Sequence, residues 1–433
     1  MVPVHFGIVV APLPADQLPH LATPVPGPRS RALAERLSEV ESRNVTCLVP
    51  AAPIFWERAR GANVWDVDGN RFVDLSGAFG VANAGHAHPR VVAAVAAQAD
   101  RLLHGMGDVH PSAVKVELLE ALVARFPGGV EARAVLGSSG SDAVEAALKT
   151  ALLATGRAGV VAFEGAYHGL ALGALDTTHG RDFRAPFAAR LADATVFARY
   201  GDAADAARAA EDCREPVGAV IVEPIQARGG ERVPPEGFLR ALRAVCDERG
   251  WLLIADEVYT GCGRTGAWFA CEHEGVVPDL LCVAKGLASG MPISACVGRR
   301  EVMDAWPVST GEALHTQTFL GHPASCAAAL ASLAVIEGEK LCERAARLGA
   351  HAMDRLRASL APDVVEVRGR GLLIGVECAT PERAARAVAS LLARGVIALP
   401  SGDDGRVIGL SPPLSIGEAA LDFATDALAE VLR

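Results

Sequence analysis

The sequence predicts an α/β fold wound around a mostly parallel sheet, and three observations carry that prediction. From about residue 133 onward, short and near-continuously apolar runs alternate with longer helical patterns. Nearly every run gives way at once to a polar or glycine-bearing turn. A length of 433 residues with 51% hydrophobic content supplies a large core.

The elements follow in order. The first run, 132–136, leads into Gly137-Ser-Ser-Gly-Ser141-Asp142 and a helical pattern over 143–153. The second, 159–163, precedes Gly165-Ala-Tyr167-His168-Gly169. The third, 217–222, ends at Glu223-Pro224-Ile-Gln226, the fourth, 251–255, at Asp256-Glu257, and the fifth, 280–284, at Lys285-Gly286. A sixth run covers 293–297. Strands apolar on both faces belong in a sheet covered on both sides. Between the third and fourth runs, residues 237–249 read as an amphipathic helix, with Phe238, Leu242, Val245 and Cys246 on one face and Arg240, Arg243 and Glu248 elsewhere.

Outside this block the pattern changes. Ala62-Asn-Val-Trp-Asp-Val-Asp-Gly69-Asn-Arg-Phe-Val-Asp74 reads as two short strands around an Asp-Gly turn. Residues 364–378 read as a second pair around Arg368-Gly-Arg-Gly371, with helical patterns from there to the end. The expected division is a loosely ordered proline-rich arm (1–30), a large domain (76–335), and a smaller α+β lobe built from both chain ends (31–75 and 336–433).

A net charge of −10 argues against nucleic acid and against an anionic membrane surface as partners. No segment reaches the roughly 20 apolar residues of a membrane span. The apolar run 6–13 is short, interrupted by proline and lacks a basic leader, so a signal peptide is not expected. The ten cysteines show no CxxC pair, and Cys246, Cys282 and Cys296 lie in apolar runs. Buried thiols in a reducing cytoplasm are the expected reading.

In open α/β sheets, ligands bind beyond the carboxyl ends of the strands, where five successive polar turns gather here. Each has a plainer reading alone. The Gly/Ser turn could be a helix cap, Tyr167 a core aromatic, Asp256 a loop-facing cap, and Lys285 a snorkelling cation. Lys285 nevertheless stands out. Of 41 basic residues only Lys115, Lys149, Lys285 and Lys340 are lysines, and the other three look like ordinary surface charges. An amine can form a Schiff base where guanidinium cannot. Together the turns describe one ligand, with a phosphate for the helix terminus, a flat ring for Tyr167, a cationic ring nitrogen for Asp256 and an aldehyde for Lys285. Pyridoxal 5′-phosphate has all four features.

At this point the chain resembles a known family, the class III (ω-type) aminotransferases of pyridoxal-phosphate fold type I. The resemblance runs from about residue 45 to 430. It is carried by Val64-Trp-Asp-Val-Asp-Gly69, Gly85-His-Ala-His-Pro89, Ser139-Gly-Ser-Asp-Ala-Val-Glu-Ala-Ala-Leu-Lys149, Tyr167-His-Gly169 and Glu223-Pro-Ile-Gln226. It continues through Leu253-Ile-Ala-Asp-Glu-Val258, Gly261-Cys-Gly-Arg-Thr-Gly266, Ala284-Lys-Gly-Leu287, Thr318-Phe319, Val367-Arg-Gly-Arg-Gly-Leu372 and Ser411-Pro-Pro-Leu414. The resemblance implies Lys285 as Schiff-base lysine and proton shuttle, Asp256 at the pyridinium nitrogen, Val258 and Tyr167 on the two ring faces, and Ser139, Gly140 and Ser141 at the phosphate. It implies Gln226 near the ring hydroxyl, Thr318 reaching the phosphate of a neighbouring subunit in a homodimer, and Arg368 binding a substrate carboxylate.

Two departures concern the substrate. Where the family commonly has a glutamate that pairs with that arginine, this chain has Arg228. The gate is therefore absent or rebuilt, and a more electropositive pocket for carboxylate-bearing substrates is expected. Phe79 stands where ornithine-type enzymes carry a tyrosine and, with Val49 upstream, points away from ornithine, whereas Pro53-Ile-Phe-Trp-Glu-Arg-Ala59 is closer to 4-aminobutyrate aminotransferases. The expected activity is a ping-pong transfer from an ω-amino acid or amine to a 2-oxo acid such as 2-oxoglutarate or pyruvate. A racemase, aminomutase or decarboxylase of the same fold, or a non-catalytic pyridoxal-phosphate-binding protein, are the alternatives.

Overall fold

The computed structural model describes residues 16–47, 53–359 and 364–433; Val49 and the run 6–13 lie outside them. Its centre is one sheet made of β1 (Ala132–Gly137), β2 (Gly159–Phe163), β3 (Thr195–Ala198), β4 (Val217–Val222), β5 (Leu252–Asp256), β6 (Leu280–Val283) and β7 (Ser294–Arg299). The strand order is β1-β7-β6-β5-β4-β2-β3. Pairing is parallel from β3 through β2, β4 and β5 to β6. The run expected at 293–297 becomes β7, which is antiparallel to both its neighbours, β1 and β6. The carboxyl ends of β1, β2, β4, β5 and β6 thus share one edge with the start of β7.

Alternation along the strands explains why they are apolar throughout. Ala219 and Ile221 of β4, Ile254 of β5 and Cys282 of β6 pack with Ala143, Val144, Ala147 and Ala151 of the helix Gly140–Thr155. Val220, Leu253 and Leu281 point the other way, into the cluster that holds Phe238 and Leu242 of Phe238–Arg249 and much of Pro323–Gly338. Burial of each large aliphatic side chain contributes about 1.5–3 kcal/mol, so both helical layers are held by the sheet. Cys246, Cys282 and Cys296 are buried, as the sequence implies.

Two four-stranded sheets flank this core. Trp56–Arg60, Asn63–Asp66 and Arg71–Asp74 are joined by Val396–Ile397, so residues from both ends of the chain share one sheet. Val364–Arg370, Leu373–Cys378, Val407–Leu410 and Leu399–Ser401 form the other. Arg264, fully buried, fastens the second sheet to the centre by donating to Leu372 O (2.9 Å), Pro412 O (2.5 Å) and Asn83 Oδ1 (2.7 Å).

The loosely ordered arm does not extend to residue 30. Asp16 accepts from the Ala62 and Gly417 N–H groups, and His20 exchanges backbone hydrogen bonds with Arg71. A 13-residue helix starts at Pro28, where proline's fixed φ suits the first turn. Asp68 caps it from another element, accepting from Arg29 N (2.7 Å) and Ser30 N (2.9 Å). The sequence shows Asp68 only as a turn residue.

Candidate active site

A cavity of about 580 Å³ opens at the shared strand edge. One end is built from strand termini and a helix start. At the end of β1, Ser139 caps Gly140–Thr155: its hydroxyl accepts from Asp142 N (3.2 Å) while its own N–H donates to Asp142 Oδ2 (3.0 Å). The cap reading therefore holds for Ser139, which also lies on the cavity wall. The next N–H groups, Gly140 and Ser141, are first-turn donors without intrahelical acceptors. They lie on the wall with the Ser141 hydroxyl. Two glycines keep the cradle open. A Cβ on Gly140 would sit 2.8 Å from Val258 Cγ1, and one on Gly169 would sit 2.1 Å from Ser141 Oγ.

Beyond β5, Asp256 Oδ2 lies 2.7 Å from His168 Nδ1, and its Oδ1 accepts from Val258 N (3.0 Å). Both side chains are almost fully buried, and His168 Nε2 has no partner. Glu223, at the end of β4, accepts from Tyr167 N (2.9 Å) and Ala227 N (3.2 Å). Burial pushes its carboxyl up to about 7, against the pull of His168 and with a further push from Asp256. Lys285 follows β6 in a left-handed conformation, φ +38°, a strained geometry for a side-chain-bearing residue. Its Nζ lies 4.5 Å from the Tyr259 ring centroid. Burial lowers the Lys285 amine, while Asp256 and Glu223 oppose that shift and Arg228 reinforces it.

The other end is made of loops and the flanking sheet. Ala78 and Phe79 both have positive φ (+51° and +62°), in a turn held by Asp74, which accepts from Ser76 N, Ser76 Oγ and Ala78 N. Phe79 lines the cavity and is 60% exposed. Tyr259 OH bonds Ser411 Oγ at 2.8 Å. The loop after Glu223 carries Arg228, whose guanidinium carbon lies 5.0 Å from the Tyr167 ring centroid and 5.2 Å from that of Phe183. The same loop carries Glu231, buried on the cavity wall.

Lys285, Asp256, Ser139, Gly140, Ser141, Tyr167, Val258, Phe79 and Arg228 thus share one cavity wall. Three expected residues do not. Gln226 lies behind the wall, donating to Glu164 O (2.9 Å), with a buried Oε1 left unpartnered. Thr318, expected to serve a neighbouring subunit rather than this site, is exposed and not on this chain's own cavity wall. Arg368, expected to be open to a substrate carboxylate, is already engaged. Its Nε and Nη2 donate to Gly230 O (2.9 and 2.7 Å) and its Nη1 to Glu366 and Glu377 (2.8 and 2.5 Å). The cause is cross-strand register. Glu366 and Glu377 stand opposite one another in antiparallel strands, a repulsive pair that Arg368 bridges. Lys115 also departs from the surface-charge reading: it is partly buried and donates to Gly107 O.

Sequence reasoning passed over His168, Glu223, Tyr259 and Glu231. The first two carried a usable signal, being titratable residues that follow buried strands within motifs already noticed. Taken together, the wall offers N–H and hydroxyl donors for a phosphate, a carboxylate for a cationic ring nitrogen, Tyr167 and Val258 as ring-facing surfaces, and a partly desolvated amine. That donor set fits pyridoxal 5′-phosphate.

Comparison with known proteins agrees. Residues 47–432 match the family described as aminotransferase class-III. An acetylornithine aminotransferase of Methanopyrus kandleri is 44% identical over 382 residues, covering 88% of this chain and 95% of the relative. A 4-aminobutyrate aminotransferase of Mycobacterium tuberculosis is 41% identical over 450 residues, covering 96% and 98%. Among solved structures, the ornithine aminotransferase of Toxoplasma gondii is similar at TM-score 0.85 and 32% identity, over 93% of this chain and 94% of that one. Its active site carries pyridoxal phosphate at partial occupancy.

Proposed function

Because the chain belongs to the class-III aminotransferases, which use pyridoxal 5′-phosphate, we propose that its donor is an ω-amino acid or amine of the 4-aminobutyrate type and its acceptor a 2-oxo acid. When bound, pyridoxal 5′-phosphate would supply an electron-withdrawing ring for the transfer chemistry. The residues of this chain do the rest. Gly140 and Ser141 would hold the phosphate. Asp256, oriented by His168 and the Val258 N–H, would hold a cationic ring nitrogen. Lys285, its amine lowered by burial, is neutral more often than an ordinary lysine and so serves as nucleophile and then as proton carrier.

The observation that carries the donor class is Arg228. It lies on the cavity wall, stacked on Tyr167 and Phe183, and among the described residues no carboxylate pairs with it. It is the guanidinium open to a donor's carboxylate. A panel of amines and ω-amino acids against 2-oxoglutarate and pyruvate tests this. Arg228→Gln should raise KM for 4-aminobutyrate-like donors by roughly 10–100-fold, the loss of one charged hydrogen-bonding partner, and leave amines lacking a carboxylate unchanged. Equal KM values for both donor types in wild type and variant would overturn it.

The same reading includes a homodimer in which Thr318 serves the neighbouring subunit. Thr318 is exposed, and beside it Phe319 is 59% exposed and lies against His104. Sedimentation velocity reads the assembly directly. A cytoplasmic location fits the buried thiols.

A further inference from the structure

Where the flanking sheet completes the cavity, the wall presents an acid and, among the described residues, no guanidinium. Arg368 is absent from the wall, its donors spent on Gly230 O, Glu366 and Glu377. The wall there is supplied by Glu231. Its placement is built. Gly375 and Gly409 are register partners on adjacent strands, and together they form a notch in the flanking sheet. A Cβ on Gly409 would lie 2.5 Å from Glu231 Oε1, and one on Gly375 would lie 3.2 Å from Oε2. Glu231 enters this notch with φ +48°, a conformation that side-chain-bearing residues seldom adopt. The residue is 5% exposed, and Oε2 is a buried oxygen without a partner.

We propose that Glu231 is a specificity-determining residue that denies the cavity a second carboxylate, so that the enzyme takes 2-oxo acids bearing one carboxylate, of the pyruvate class, and discriminates against dicarboxylic ones. The inference rests on Arg228 as the receptor for the first carboxylate. A second carboxylate reaching this part of the wall meets Glu231, with the hydroxyls of Ser401, Ser411 and Tyr259 nearby on the wall, and finds no free guanidinium. The charged or titratable groups acting on Glu231 are Arg368, which favours its ionised form, and Glu223, which opposes it; burial raises its carboxyl to about 8. Tyr259, whose phenol burial pushes up to about 12, adds no charge near neutrality. The carboxylate therefore repels most strongly above that value.

The test uses the holoenzyme and two unreactive probes, butyrate with one carboxylate and glutarate with two. At pH 9, where Glu231 is ionised, wild type should show kcat/KM for pyruvate at least about tenfold above that for 2-oxoglutarate, and should bind butyrate more tightly than glutarate by calorimetry. Glu231→Gln keeps the shape and removes the charge, so the glutarate-to-butyrate affinity ratio should rise by about tenfold or more at pH 9. Glu231→Ala, which also empties the notch, should raise it further. Comparable use of both acceptors by wild type, or an unchanged affinity ratio in Glu231→Gln, overturns the role of Glu231. Unaltered butyrate binding in Arg228→Gln overturns the reading of Arg228 instead, and the two failures are distinguishable.

Discussion

At one end of the cavity every functional group issues from a strand end or a helix start. Ser139, Gly140 and Ser141 follow β1, Glu223 follows β4, Asp256 ends β5 and Lys285 follows β6. At the other end, Phe79, Arg228 and Glu231 sit on loops, two of them with positive φ, and the wall is completed by the strands around Ser401 and Gly409. The first end inherits its precision from a sheet buried on both faces. The second depends on how loops settle against a separate sheet. Chemistry common to a family belongs on the first, and substrate choice can vary on the second without disturbing it.

This contrast can be broken or sharpened by substitution. The largest effect is expected at the rigid end, where Lys285→Ala should cut turnover by about 10⁴-fold or more. The cofactor should still bind through the phosphate cradle, but without the absorbance of a lysine Schiff base. A residual rate within tenfold of wild type would remove Lys285 from the chemistry. Gly140→Ala should act on retention alone. Its Cβ would meet Val258 at 2.8 Å, and overpacking of that size costs about 1–3 kcal/mol, or roughly 5–150-fold in cofactor affinity by spectroscopic titration. Unchanged affinity would show that the cradle yields.

The smallest effect is expected at the loop end and concerns stability. The Glu231 carboxyl is raised from 4.5 to about 8, so the protonated form is the one the fold favours. The stability it contributes is complete below 4.5 and is lost as pH rises through about 8. Gln cannot ionise, so Glu231→Gln should melt a few degrees above wild type at pH 9, with the gap narrowing as pH falls below about 8 and closing below 4.5. A gap that does not depend on pH would place Glu231 in contact with solvent.

The rigid end was largely legible in advance. Runs at 159–163 and 217–222 match β2 and β4 residue for residue, because strands apolar throughout and closed by polar turns admit few other readings. The direction of β7 was not legible, since a strand buried on both faces reads the same whichever way it runs. β3 was missed because an edge strand of four residues, mostly half-buried, carries little pattern. Residues 16–30 were underestimated because their order comes from remote partners, Asn63, Asn70 and Asp68.

Local order along the chain was enough to specify the wound sheet, the amine at the end of β6, the carboxylate at the end of β5 and the helix start at Gly140, and from these the cofactor. Periodicity and turn chemistry act between residues close in sequence, so those features are written there. The fate of the charged side chains at the substrate end was decided by tertiary structure. Glu366 and Glu377 draw Arg368 away because strand register sets them face to face. Glu231 reaches the wall because two distant glycines align to receive it. Whether a guanidinium is free or spent depends on which acceptors the fold brings beside it: Glu366 and Glu377 lie two and nine residues from Arg368, but the Gly230 carbonyl it also binds lies 138 residues away.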